Sequence, residues 1–116
     1  KVVIVTCARS QGSFKYDINR FNRIVIASCE QCGRTKIMEI ELSKCLPDEP
    51  FYLVDFCGEN FTNLLPQGNY LIGPEGGFSE TEREQFFQKS LKAFKFNGNL
   101  VLKSETAVIS IAALVV

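Results

Sequence analysis

Leu71-Ile72-Gly73-Pro74-Glu75-Gly76-Gly77-Phe78-Ser79-Glu80-Thr81-Glu82 is the stretch on which the fold turns. The apolar run Asn69–Ile72 (NYLI) ends in a loop of three glycines and a proline, and a helix start follows at once. Ser79 and Glu82 have the S-x-x-E spacing of a capping box, in which each side chain satisfies the other residue's backbone N–H, so a helix is predicted to about Lys89. A strand that passes through a glycine loop into a capped helix is a unit of an α/β sheet, and open sheets of that kind take ligands at the carboxyl ends of their strands. Glycines there let a flat ligand approach the backbone. The loop is neither GxGxxG nor GxxxxGKS/T, which sets aside dinucleotide and P-loop chemistry. Glu75, Glu80 and Glu82 surround the helix N-terminus and repel phosphate, so a neutral or cationic ligand suits the loop better.

Working outward, Val2–Thr6 (VVIVT) and Phe51–Asp55 (FYLVD) read as buried strands, with Ile37–Leu42 as a short extended piece between them. Arg9–Asp17 is a polar loop, and apolar residues at 18, 21, 24, 25, 29 and 32 have helical spacing that Gly33 terminates. Cys57-Gly58-Glu59-Asn60 reads as the loop after the second strand. Ala93–Phe96 is a further strand, Asn97-Gly98-Asn99 a turn and Leu100–Leu102 a short extended run. Ser104-Glu105-Thr106 then reads as the cap of an almost wholly apolar helix, Ala107–Val116. Strands alternating with helices give an α/β fold, a mostly parallel sheet of about five strands with helices on both faces. A helix apolar on all sides has to be covered within the chain or by a second copy, which favours a homodimer.

At 116 residues, 46% hydrophobic and 22% charged, the chain is one domain with one core. The absence of histidine removes the usual general base, His-ligated metal sites and every Ser-His or Cys-His pair. No apolar run approaches the roughly 18 residues of a membrane span. Cys7, Cys29, Cys32, Cys45 and Cys57 form an odd set with no export signal before them, which points to a reducing cytoplasm. Cys29 and Cys32 make a lone CxxC late in a helix, where Cys is more often a small core residue than a metal ligand or redox centre. Net charge is zero, yet residues 1–44 carry eight basic and four acidic side chains, 45–88 one basic and eight acidic, and 89–116 four basic and one acidic. A fold that brings the two ends together has a face basic enough to meet phosphates. The three strand-end loops, Asp55–Asn60, the glycine loop and Asn97–Thr106, together suit one small ligand.

LIGPEGGFSETE, LKSETA and EQCGR, in that order and spacing, closely resemble the SPOUT-class methyltransferases that methylate N3 of a uridine in 16S (small-subunit) ribosomal RNA. The resemblance covers essentially the whole chain. It implies a SPOUT-type trefoil knot, which periodicity alone would never propose, and a homodimer built on the last helix. It implies that residues 1–116 are part of the methyltransferase domain, with a PUA-like RNA-binding domain and a first strand-helix unit outside this sequence. The implied cofactor is S-adenosylmethionine, held mostly by the backbone of the three loops: Asp55 and Phe56; Ile72, Gly73, Pro74, Glu75, Gly76 and Gly77; and Phe96, Asn97, Leu100, Leu102, Ser104 and Thr106. Its sulfonium is cationic, in keeping with the acidic loop. The implied partner is small-subunit ribosomal RNA or the assembled 30S subunit, with no membrane and no metal.

Family members read G-x-R-I-L-R-x-E-T-A where this chain reads Gly98-Asn99-Leu100-Val101-Leu102-Lys103-Ser104-Glu105-Thr106-Ala107. Leu100 loses the first arginine's charge, whereas Lys103 keeps the second's charge without its bidentate fork. Arg34, Arg9 and Lys103 are the candidate cations for the uracil oxygens, and Glu75 or Glu105 the candidate base. Two alternatives stay open beside this one: a SPOUT enzyme for another ribosomal or transfer RNA position, and a cofactor- or RNA-binding remnant without activity.

Overall fold

The β-branched and aromatic runs form the strands of the protein, and every strand pairs in parallel with its neighbour. The computed structural model describes residues 1–10, 16–61, 65–97 and 101–115. In chain order the elements are β1 (Val2–Val5), α1 (Ile18–Cys32), β2 (Ile40–Ser43), β3 (Phe51–Asn60), β4 (Asn69–Ile72), α2 (Glu80–Lys89), β5 (Ala93–Lys95) and α3 (Ser104–Leu114). The α/β class with parallel pairing is as expected from the sequence. Among the described residues β1 pairs with β2, and β3 lies between β4 and β5 in the order β4-β3-β5. Alternating strand and helix signals report that strands exist, not which of them are neighbours. The chain correspondingly divides into two compact units, Lys1–Thr6 with Gly12–Pro47, and Cys7–Gln11 with Asp48–Val116.

In the first unit β1 runs beside β2, from Val2 opposite Ile40 to Val5 opposite Ser43. Asp17 caps α1, one carboxylate oxygen accepting the N–H groups of Asn19 and Arg20 at 3.0 and 3.1 Å. Gly33 closes the helix in the left-handed region at φ 70°. Val25 and Cys29 are the buried positions of α1, so Cys29 is a small core residue, while Cys32 is exposed.

In the second unit β3 is the central strand, and Leu53 on it is fully buried. Tyr52 packs against Tyr70 of β4 and Phe94 of β5, with ring centroids 5.2 and 5.7 Å apart. Leu65, Phe94 and Ile111 form a buried cluster against which Val54, Ile72 and Phe96 rest. The polar tail of β3 departs from the expected loop at Cys57–Asn60. The strand continues to Asn60, because Phe94 pairs first with Val54 and again with Glu59, leaving Asp55–Gly58 as a bulge. Gly58 is what lets the chain return: a Cβ there would stand 2.6 Å from the backbone N and C of Phe94.

The last helix also starts earlier than expected. Lys103 is its N-cap residue and Ser104 its first residue, with no side-chain cap. Leu102 is outside any strand, and residues 98–100, which carry part of the expected turn and extended run, lie outside the described residues. On α3, Ala107 and Ile111 are buried but Ile109 is 70% exposed, so the chain covers one side of an apolar helix and leaves the other bare. Among the described residues no helix is long and apolar enough to cross a membrane.

Gly58→Ala is expected to destabilise the protein by about 3 kcal/mol, since the methyl group meets backbone rather than a movable side chain. Urea unfolding measures this, and an unchanged midpoint would mean that the bulge does not depend on that close approach.

Candidate functional site

The start of the β3 bulge, the carboxyl ends of β4 and β5 and the start of α3 line a cavity of about 370 Å³. Its walls are largely apolar, from Val54, Ile72, Phe78, Phe96, Leu102 and Ala107, with Asp55, Glu75, Lys95 and Ser104 as polar points. A pocket of this size and character suits a small organic molecule held by a few placed polar groups.

The glycine loop is a tight turn fixed from several sides. Gly77 donates its N–H to the carbonyl of Pro74 at 2.8 Å and sits at φ 68°, a conformation that favours glycine. Phe78 is 1% exposed and lies beneath Gly73, where an added Cβ would come within 3.2 Å of its ring. The Ser104 hydroxyl donates to the carbonyl of Gly73 at 2.8 Å, binding the start of α3 to the loop. Ser104 is the first residue of α3, after the N-cap Lys103, and its side chain does not cap the helix.

The capping box of α2 forms as the sequence predicts. Glu82 donates its N–H to Ser79 Oγ at 3.2 Å, and Ser79 donates its N–H to Glu82 Oε2 at 2.9 Å. The other oxygen, Oε1, accepts the N–H of Ala8 at 2.7 Å. Desolvation pushes the Glu82 carboxyl upward, but the bonds from Ala8 and Ser79 and the attraction of Arg9 outweigh it and hold the group below the usual glutamate range. The helix N-terminus is thus already occupied by the protein's own carboxylate, which leaves it a poor phosphate site.

Asp55 opens the β3 bulge. Its carboxylate is 3% exposed, accepts the N–H of Cys57 at 3.1 Å, and lies 3.2 Å through each oxygen from Arg83 Nε. The Arg83 guanidinium also stacks over Phe56, 5.5 Å from its centroid, so the ion pair and the stacking together hold Phe56 at the cavity. Sequence reasoning missed Arg83, Val54, Phe78, Lys95, Val101 and Ala107 at this site. A 3.6-residue pattern on α2 gives no sign that Arg83 reaches a residue on β3.

Of the residues expected to bind cofactor, Asp55, Phe56, Ile72, Gly73, Pro74, Glu75, Gly77, Phe96, Leu102 and Ser104 line the cavity. Gly76 does not. It faces Arg9, whose Nη1 donates to its carbonyl at 3.4 Å. Asn97 turns away to donate to the carbonyl of Phe61 at 3.3 Å, Thr106 is exposed outside the lining, and Leu100 lies outside the described residues. Among the expected catalytic residues, Glu75 is in the lining, Lys103 precedes α3, and Glu105 is exposed on its first turn. Arg34 belongs to the other unit, just beyond Gly33, with its N–H donated to the carbonyl of Cys29 at 2.9 Å. Among the described residues no group of three or more His, Cys, Asp or Glu is placed to hold a metal ion.

The RNA methyltransferase domain family matches residues 57–116, which hold most of this cavity's lining. The chain belongs to that family. It is 39% identical over 114 residues to the ribosomal RNA small subunit methyltransferase E of Helicobacter pylori, a match covering 90% of this chain and 50% of that protein. The namesake from Buchnera aphidicola is 34% identical over 109 residues, covering 78% and 41%. The chain therefore spans about half the length of these curated relatives or less. A Legionella pneumophila protein described as a methyltransferase, solved with bound S-adenosylmethionine, superposes with a TM-score of 0.69 at 25% identity over 95% of this chain and 52% of its own. A probable rRNA-methyltransferase from Porphyromonas gingivalis shares the fold, with a TM-score of 0.66 at 19% identity over 94% and 55%.

Arg83→Ala is expected to cost about 2 kcal/mol, because it leaves the Asp55 carboxylate buried without its cation. Thermal or urea unfolding tests this, and a variant as stable as the parent would show that water replaces the guanidinium at no cost.

Proposed function

We propose that this chain is the methyltransferase domain of an enzyme that transfers a methyl group from S-adenosylmethionine to N3 of a uridine in 16S ribosomal RNA. The observation that carries the proposal is the cavity at the strand ends, lined by the very GPEGG loop whose sequence resembles this family, in a chain 39% identical to a ribosomal RNA small subunit methyltransferase E. The residues present fit the cofactor. Apolar walls suit an adenine ring, and Glu75 is a carboxylate in the lining with no hydrogen-bond or ion-pair partner among the described residues.

When bound, S-adenosylmethionine supplies an electrophilic methyl group on a cationic sulfur. The chain's own residues then have three tasks. The turn Pro74–Gly77 and Ser104 would hold the donor for in-line transfer to the acceptor. Glu75, in the cavity lining, would stand near the cofactor's positive charge and is the better-placed base for the N3 proton than Glu105, which is outside the cavity. Arg9, Arg34 and Lys103 supply cations for the uracil oxygens as negative charge develops on the ring. The proposal includes a trefoil knot, an RNA-binding PUA-like domain elsewhere in the protein, action in the cytoplasm on small-subunit RNA or the assembled 30S subunit, and a homodimer. The bare side of α3, with Val108 and Ile109 exposed, supports the dimer. A mass of two chains by light scattering is expected, and a monomer at micromolar concentration would remove the dimer from the proposal.

The protein carrying this chain, given labelled S-adenosylmethionine and small-subunit RNA or particles, is expected to produce 3-methyluridine detectable by mass spectrometry of the digested RNA. Arg34→Ala is expected to abolish that product while S-adenosylhomocysteine still binds with the parent's affinity in calorimetry. A different methylated nucleoside would move the enzyme to another RNA position. Saturable cofactor binding with no methylated RNA would leave a binding protein without the activity.

A further inference from the structure

One carboxylate joins two segments 74 residues apart in sequence: Glu82 Oε2 completes the capping box of α2, while Oε1 accepts the N–H of Ala8 at 2.7 Å. The box needs only the first of these bonds, and glutamine serves at that position as well as glutamate. The second has a different consequence. The next residue, Arg9, lies so close to the glycine turn that a Cβ on Gly76 would stand 3.2 Å from both Arg9 Cβ and its carbonyl oxygen. Its guanidinium reaches the Gly76 carbonyl at 3.4 Å. Glycine at 76 and the carboxylate at 82 thus fix one segment from two sides, and that segment carries a cation.

We propose that Glu82 is a positioning residue for methyl transfer: by holding the Ala8 amide it sets the Arg9 guanidinium on the outer side of the glycine turn, beside the cavity where the acceptor base enters. The role rests on the proposed RNA methylation, because Arg9 acts there on the acceptor. The lowered pKa of Glu82 agrees with a carboxylate that stays ionised while accepting several hydrogen bonds.

Glu82→Gln separates the two bonds. Its single amide oxygen can keep the capping box, whereas its NH₂ meets the Ala8 N–H donor to donor. In the protein carrying this chain, hydrogen exchange across Cys7–Ser10 is expected to quicken about tenfold while exchange across Ser79–Arg83 is unchanged, the scale of one lost charge-assisted hydrogen bond. S-Adenosylhomocysteine affinity is expected to stay within about twofold of the parent, and kcat for RNA methylation to fall by about tenfold or more. In an Arg9→Ala background the same substitution is expected to lower kcat no further. Unchanged exchange at Cys7–Ser10 would overturn the tether. A faster-exchanging segment with parental kcat, or an equal further loss in the Arg9→Ala background, would overturn the positioning role. A parent protein that transfers no methyl group to any RNA would instead overturn the proposed function, with the exchange result still deciding whether the tether exists.

Discussion

The contact between Phe78 and Gly73 is the one on which the site depends. Phe78 is almost wholly buried, and its ring fills the space below Gly73 that any side chain at 73 would need. With that ring in place, the chain leaving β4 turns tightly over it, and Gly77 closes the turn back onto Pro74. The Ser104 hydroxyl then bonds the Gly73 carbonyl and brings the start of α3 to the same point. Phe86 of α2 meets the Phe78 ring edge-on, with centroids 5.1 Å apart, so the helix that follows the turn is anchored by the residue that supports it. The backbone groups at 73–77 are therefore held rigid by packing rather than by a ligand, which is the condition for a preorganised binding site.

Electrostatics follow from which carboxylates the fold uses internally. The middle of the chain is strongly acidic, and two of its side chains near the cavity are already engaged. Asp55 is matched by Arg83, and Glu82 is satisfied by backbone N–H groups. Glu75 remains as a lining carboxylate without a partner among the described residues, with Lys95 as the cation in the same lining. The lining thus carries one exposed carboxylate and one cation beside the neutralised Asp55.

Much of this was legible beforehand because the signals are local. The capping box Ser79–Glu82, the glycine end of α1 at Gly33 and the extent of β4 depend on a few adjacent residues and came out as expected. Of the ten residues expected from sequence that line the cavity, Gly73, Pro74, Glu75 and Gly77 lie in the loop after β4, whose place in a parallel sheet is general to the architecture. The misreadings share a cause. Gly58 looks like a loop glycine, yet it serves the return of β3 to β5, because its significance lies in Phe94, a residue 36 positions away. Ser104 looks like a cap because Ser-Glu-Thr before an apolar run usually is one, yet its hydroxyl has a better partner in the Gly73 carbonyl.

The sequence by itself determined the α/β class, the parallel strand-loop-helix unit around Gly73–Gly77, and the absence of histidine chemistry, since each follows from composition or from spacings of a few residues. It also carried the family resemblance, which resides in short motifs rather than in contacts. Tertiary structure alone decided that β3 lies between β4 and β5, that Arg83 neutralises Asp55 and supports Phe56, and that Glu82 spends its second oxygen on Ala8. These are pairings between groups tens of residues apart, selected by which partners packing brings within hydrogen-bond distance, and no local pattern of residue types encodes that choice.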